Sequence, residues 1–274
     1  MTDTFDIRAY LSRIGYSGPT RATLETLAAL QRHHTEAIAF ENLDPLLRRP
    51  IALDPASLQH KLVASGRGGY CYEQNGLLLL ALKSLGFAAS GLAGRVLWNR
   101  PDGALTPRSH MVLSVDIGGE TWLVDAGFGG MTATGSLSLT PGLVQETPHE
   151  QFRLLEDRGD YTLQVLLGET WRNIYRLDLR EQLLPDYEVS NYYAATHPTS
   201  HFVTGLLVSR TAPGTRFSLN NNVFSVHRTG GGTERQTLDT PAALRRTLTD
   251  TFLLTLPDTP DLETTLTRLT RPAA

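Results

Sequence analysis

The period of the hydrophobic pattern changes at Gly86, and that change limits the fold more than any other feature of the chain. Up to Gly86, apolar residues recur every three or four positions, the period of a helix with one buried face. Ile7, Tyr10, Leu11 and Ile14 form the first such run, broken at Gly15 and Gly18-Pro19. A second helix is expected from Thr20 to about His34, capped by Thr20 or Thr23. Asp54-Pro55, an N-cap followed by a first-turn proline, opens a third that reaches about Ser65. The stretch Gly66-Arg67-Gly68-Gly69 leads into a fourth, from Cys71 to Leu85, stopped by Gly86.

From Ala88 to about Leu184 the signals are those of strands and turns. His110–Ile117 and Glu120–Gly127 flank Gly118-Gly119, and Gln151–Glu156, Tyr161–Leu167 and Trp171–Leu177 follow. Asn191–Phe202 reads as a link into a last unit, with strands at Phe202–Arg210, Arg216–Leu219 and Asn222–Arg228 and a helix at Pro241–Leu256. The threonine-rich end from Pro257 is expected to be a short helix or a frayed tail. Helices first and strands afterwards argue for an α+β fold over a doubly wound α/β fold. The expected divisions are 1–90, 91–188 and 189–274.

The chain of 274 residues has 25 Lys plus Arg against 28 Asp plus Glu, so it lacks the basic surplus of a nucleic-acid binder. Its longest apolar run, Leu77 to Leu82, is too short to cross a bilayer. The N-terminus has no apolar stretch of the signal-peptide kind, and the expectation is a cytoplasmic protein. There is one cysteine, which excludes an internal disulfide and a cysteine-rich zinc site. Any thiol chemistry therefore belongs to Cys71.

An isolated cysteine is more often a small buried hydrophobe than a nucleophile. The setting of Cys71 shifts that balance: Gly68 and Gly69 allow a tight backbone turn before it, and its sulfur sits at a helix start, where free amides favour a thiolate. A nucleophile needs a base. Of the eight histidines, His33 and His34 are expected to be solvated at a helix end or to interact with the helix C-terminus, and His60 and His149 lie in polar contexts without a signal. His197 and His201 have metal-like spacing, but Pro198 breaks the helix that would align them, and no metal is expected. His227 precedes the turn Gly230-Gly231-Gly232, read as a hairpin tip. His110 differs. A two-residue turn at Gly118-Gly119 sets Ile117 opposite Glu120, which puts Val112 opposite Asp125. His110 and Asp125 then become diagonal neighbours on one face, roughly 7–8 Å apart at the backbone. Asp125 also has a plainer reading, as a strand-end cap of the next turn. The set Cys71, His110 and Asp125 follows the logic of nucleophile, base and orienting carboxylate.

Arg67-Gly68-Gly69-Tyr70-Cys71-Tyr72-Glu73-Gln74-Asn75 closely resembles the nucleophile motif of the arylamine N-acetyltransferases. Arg13-Ile14-Gly15-Tyr16, Phe40-Glu41-Asn42-Leu43, Ser109-His110, Val124-Asp125-Ala126-Gly127-Phe128-Gly129, Asn191-Tyr192-Tyr193 and His197-Pro198 resemble further segments of that family. The likeness runs from Asp6 to about Gly230. It implies an N-terminal helical bundle carrying the cysteine, a central antiparallel β-barrel carrying histidine and aspartate, and a C-terminal α/β lid around a cysteine-peptidase-like core. It implies acetyl transfer through a Cys71 thioester, with acetyl-coenzyme A as co-substrate and no permanently bound cofactor. The implied acceptor is an arylamine, arylhydrazine or arylhydroxylamine. By the same resemblance Phe40, Phe128, Phe202 and Val96 are candidates to line the substrate pocket, though each also suits plain core packing. Gly129 and Gly130 are candidates for close approach of the coenzyme, and Arg67 with Glu41 reads as a structural ion pair. A homo-oligomer is compatible with this reading. The rivals are a cysteine amidase or peptidase with the same three residues, and a non-catalytic binding protein.

Overall fold

The computed structural model describes residues 5–101 and 103–271; the first four residues of the N-terminal stretch and the last three of the tail lie outside it. The chain opens with α1 (Ile7–Arg13) and α2 (Leu24–Ala37). Thr23, not Thr20, caps α2 by accepting from Thr26 N, because the segment between Gly15 and Thr23 stays irregular. A short strand β1 (Phe40–Glu41) and the turns α3 (Leu43–Leu46) and α4 (Pro55–Leu58) follow, the last continuing as a π-helical turn over Gln59–Ala64. Next comes α5 (Cys71–Ser84), which the chain leaves through Gly86 at φ 83°.

The middle of the chain forms β2 (Ala88–Val96), β3 (Arg108–Ile117), β4 (Glu120–Val124), β5 (Leu137–Ser138), β6 (Gln145–Glu146), β7 (Gln151–Asp157), β8 (Asp160–Leu167) and β9 (Thr170–Leu177). They make one antiparallel sheet in the order β5-β4-β3-β2-β9-β8-β7-β6. The sheet curls into a nearly closed barrel. Across its seam the Gln145 side chain replaces ladder bonds, accepting from Ser138 N (2.7 Å) and donating to Ser138 O (2.9 Å). The hairpin between β3 and β4 has the expected register, from Ile117↔Glu120 to Leu113↔Val124. Gly118 and Gly119 both have positive φ, 63° and 87°, as the two-residue turn requires.

The last part departs from expectation in several places. The segment read as a link from Asn191 is instead the second half of a helix, α6 (Leu184–Thr196). Its buried residues Tyr187, Asn191, Ala194 and Ala195 follow a helical stripe, but exposed Val189 and Tyr192 blur that stripe in the sequence. Phe202 does not start a strand: Ser200 accepts from Phe202 N and begins the turn α7 (His201–Thr204). Strands β10 (Leu207–Ala212), β11 (Thr215–Asn220), β12 (Val223–Arg228) and β13 (Thr233–Thr237) follow. Every residue of β13 is exposed, which removes the alternation that would have marked it. Then come α8 (Pro241–Arg246), a π-helical turn and α9 (Pro260–Leu269).

Two packing facts place the site. β1 joins the C-terminal sheet as its edge, in the order β1-β10-β11-β12-β13, so the nucleophile region is tied to the last unit. β3 and β4 lie between two cores. Met111, Leu113, Val115 and Val124 pack toward the helices with Leu77, Leu78 and Cys71. Val112 and Leu123 face the barrel interior with Phe152, Leu163 and Tyr175.

Candidate active site

Cys71 is the first residue of α5, and its approach is rigid. Glu41 N donates to Gly69 O (3.0 Å), which stitches the loop to β1. Gly68 and Gly69 are needed for close packing rather than for a turn. A Cβ on Gly68 would lie 2.1 Å from Ala39 O, and one on Gly69 would lie 2.7 Å from Glu73; the positive φ belongs to Gly66. Tyr70 N donates to Glu73 Oε2 (3.1 Å), closing the start of α5.

Gln74 anchors the same loop, donating to Ala39 O (2.7 Å) and Gly69 O (3.1 Å). Its Oε1 accepts from His34 Nε2 at 2.6 Å, while His34 Nδ1 accepts from the Tyr10 hydroxyl at 2.9 Å. His34 is therefore a fully buried, neutral strut, not a solvated helix-end residue. Burial lowers its pKa to about 4, with Gln74 opposing and Arg13 adding to the shift. His33, half-buried, sits by Ile14 O at 3.1 Å.

Behind the helix start lies a buried charge cluster. Arg67 meets Glu41 (2.9 Å) and Asp44 (3.1 Å), and Lys61 meets Asp44 (2.6 Å) and Glu73 (2.5 Å). The ion pair read between Arg67 and Glu41 is thus one contact in a network of six charged side chains, the sixth being the more exposed Arg49, 3.4 Å from Asp44.

His110 comes from β3 and Asp125 from the residue after β4. Strand β4 stops at Val124 because the Asp125 side chain turns back to accept Gly127 N at 2.8 Å. His110 Nε2 donates to Asp125 Oδ2 at 2.7 Å, with the two side chains 3% and 2% exposed. Nδ1 is the ring nitrogen not bonded to Asp125. The Cys71 sulfur lies 3.8 Å from the backbone oxygen of Ser109, the residue before His110. Burial opposes a charged imidazole here, but the Asp125 carboxylate and the bonds to Asp125 and Cys71 outweigh it and push His110 up to about 10. Burial likewise opposes ionised Asp125, yet His110, Asn75 and Gly127 hold it below the usual carboxylate range. The arrangement is a buried thiol beside an imidazole that retains its proton at neutral pH.

Asn75 makes the junction between helix and barrel. It lies one turn beyond Cys71, donates to Asp125 Oδ1 (3.0 Å) and Met111 O (2.7 Å), and accepts from Ala126 N (2.9 Å). The motif contained Asn75, and its spacing of four from Cys71 was the signal for this role. Tyr175, with its ring 4.9 Å from His110, had no such signal because β9 comes from far along the chain.

The predicted pocket residues divide into two groups. Phe128 stands edge-on to His110 with ring centroids 5.1 Å apart. Phe40 and Phe202 meet each other at 6.2 Å, and Phe202 packs on Tyr70 at 5.2 Å. Val96 is half-buried at the end of β2, opposite Tyr175 in the ladder. Gly129 has φ 83° and abuts Phe40 and Ser209, while a Cβ on Gly130 would meet nothing within 4 Å. His197 ends α6 in extended backbone and stacks on Tyr193. Among the described residues no three His, Cys, Asp or Glu side chains are grouped as metal ligands, and no helix is long and apolar enough to cross a membrane.

The sequence profile of the N-acetyltransferase family matches residues 23–260. The arylamine N-acetyltransferase of Escherichia coli is 42% identical over 250 residues, covering 91% of this chain and 89% of the relative. The structure of the Mycobacterium marinum arylamine N-acetyltransferase superposes with a TM-score of 0.93 at 41% identity, covering 97% of this chain and all of that one. The same M. marinum protein solved in complex with CoA gives 0.90 at 40% identity, over 97% and 98%. On this similarity of sequence and fold, the chain belongs to the arylamine N-acetyltransferase family of acyltransferases.

Proposed function

We propose that this protein moves an acetyl group from acetyl-coenzyme A to an aromatic amine, hydrazine or hydroxylamine through a thioester on Cys71, in two half-reactions. The bond from His110 to Asp125, with the Cys71 sulfur 3.8 Å from Ser109 O beside that histidine, supports this reading. In the first half, the Cys71 thiolate attacks the thioester carbonyl, the bond from carbon to the coenzyme sulfur breaks, and the departing sulfur takes the proton of His110. In the second half, the neutral amine attacks acetyl-Cys71. Neutral His110 accepts the amine proton as the carbon–sulfur bond to Cys71 breaks, which restores the thiolate–imidazolium pair.

Asp125 holds the His110 ring through Nε2 in both halves and stabilises its charged form. Phe128 and the Phe40–Phe202 pair offer flat apolar faces to an aromatic acceptor and keep water from the acyl-enzyme. The open backbone at Gly130 suits close approach of the coenzyme, a donor choice supported by the CoA complex of the M. marinum relative.

Intact mass spectrometry tests the proposal. Mixing with acetyl-coenzyme A should add one acetyl group, an aniline-type amine should remove it as the acetanilide, and Cys71→Ala should take up none. Hydrolysis of amides or of the acetyl-enzyme by water, with no transfer to amines, would establish a hydrolase instead.

A further inference from the structure

Arg216 on β11 is 3% exposed, and all three of its guanidinium nitrogens donate hydrogen bonds. Nε donates to Glu150 Oε1 (2.8 Å) and Oε2 (3.1 Å), and Nη2 donates to Glu150 Oε2 (2.5 Å). The same Nη2 donates to Thr132 O (2.8 Å), and Nη1 to Gly130 O (3.4 Å). Glu150 lies just before β7 on the barrel, so one side chain links the C-terminal sheet, the barrel and the loop after β4.

Next to it, His149 Nε2 donates to Ala212 O (3.0 Å) and Thr215 O (3.2 Å), and Nδ1 accepts from the Thr134 hydroxyl (3.0 Å). Burial and the neighbouring Arg216 charge lower the pKa of His149, which suits this neutral bonding pattern.

The loop so held borders the thiol. A Cβ on Gly127 would lie 2.8 Å from Cys71 Cα, and Phe128 contacts His110. Between β4 and β5 the loop has no ladder bonds of its own, so side chains set its position. Asp125 holds the end near Gly127 at 2.8 Å, and Arg216 holds the end near Gly130 and Thr132. A planar guanidinium can serve one carboxylate and two carbonyls together, whereas an ammonium cannot match that geometry.

We propose that Arg216, locked by Glu150, is a positioning residue that sets the Gly127–Thr132 backbone and thereby governs affinity for the acetyl donor without altering the reactivity of Cys71. The donor in this statement rests on the function proposed above.

The test uses Arg216→Lys and Glu150→Gln, each first checked for a cooperative thermal transition. In both, KM for acetyl-coenzyme A should rise about tenfold, while the rate of Cys71 alkylation by iodoacetamide changes less than about twofold. Amide hydrogen exchange across residues 127–132 should speed up. A folded Arg216→Lys with wild-type donor KM overturns the proposal, as does a parallel fall in alkylation rate. If the wild type forms no acetyl adduct, the functional reading fails separately. In that case unchanged loop exchange in Arg216→Lys overturns the clamp, and faster exchange sustains it.

Discussion

Glu73 and Asp125 are buried carboxylates on either side of Cys71, 1% and 2% exposed, yet their acidities move in opposite directions. Burial raises Glu73, and although Lys61 opposes it, the charges of Glu41 and Asp44 add to the rise and leave it at about 7. Burial pushes Asp125 the same way, but His110, Asn75 and Gly127 overcome it. Equal burial therefore does not set the charge state. The number of donors aimed at each carboxylate decides it, together with the absence or presence of rival acids. Glu73 shares its cation with Asp44, whereas Asp125 has its imidazolium to itself. The first cluster suits a scaffold, and the second suits a site that must hold a charged histidine.

Removing the charge of Asp125 but not its shape should have the largest effect. Asp125→Asn should lower kcat/KM for acetyl transfer by about four orders of magnitude, since His110 loses the carboxylate that stabilises its charged form. Retention of more than a tenth of the activity in steady-state assays would sink that role. On the scaffold side, Lys61→Met leaves Glu73 and Asp44 without their shared cation and should destabilise the fold by about 3–5 kcal/mol in denaturant titrations. Asn75→Ala makes Asp125 more like Glu73 by removing one donor. It should cost about 1–3 kcal/mol of stability, because Met111 O and Ala126 N lose their partner as well. An unchanged denaturation midpoint would remove Asn75 from its bridging role.

The pH dependence sharpens the contrast. Folded Glu73 binds its proton more tightly than the unfolded chain does, so its stabilising contribution is complete below 4.5 and is lost as pH rises through about 7. Glu73→Gln should flatten that decline in urea titrations across the window. His110 also has a raised value, so its contribution is present below 6.5 and is lost as pH rises through about 10. Asp125→Asn should abolish this alkaline loss. The smallest effect belongs to an exposed pair: Arg228→Ala breaks the 3.4 Å contact with Glu234 and should change stability by less than about 1 kcal/mol.

Much of the site was legible because its parts are local. A two-residue glycine turn sets a hairpin register, and that register brought His110 and Asp125 within reach before any fold was known. Periodicity located α1, α2, α5 and β10 to β12, with errors where an element broke its own pattern. α6 carries exposed apolar residues, β13 has no buried face, and Phe202 yields to a serine cap two residues earlier. His34 was misread because a helix end appears solvated until Tyr10 and Gln74 are known to cover it.

The sequence by itself determined the order of helices and strands, the placement of the lone thiol at a helix start, and the pairing of His110 with Asp125. These depend on periods, caps and turns that act over a few residues. Only the tertiary structure decided that the Cys71 sulfur lies beside Ser109 O, next to His110, that Asn75 joins helix to barrel, and that Arg216 reaches the loop beside them. Those contacts join residues far apart in the chain. They are set by how the two faces of the β3–β4 hairpin pack against separate cores, a choice that no local pattern encodes.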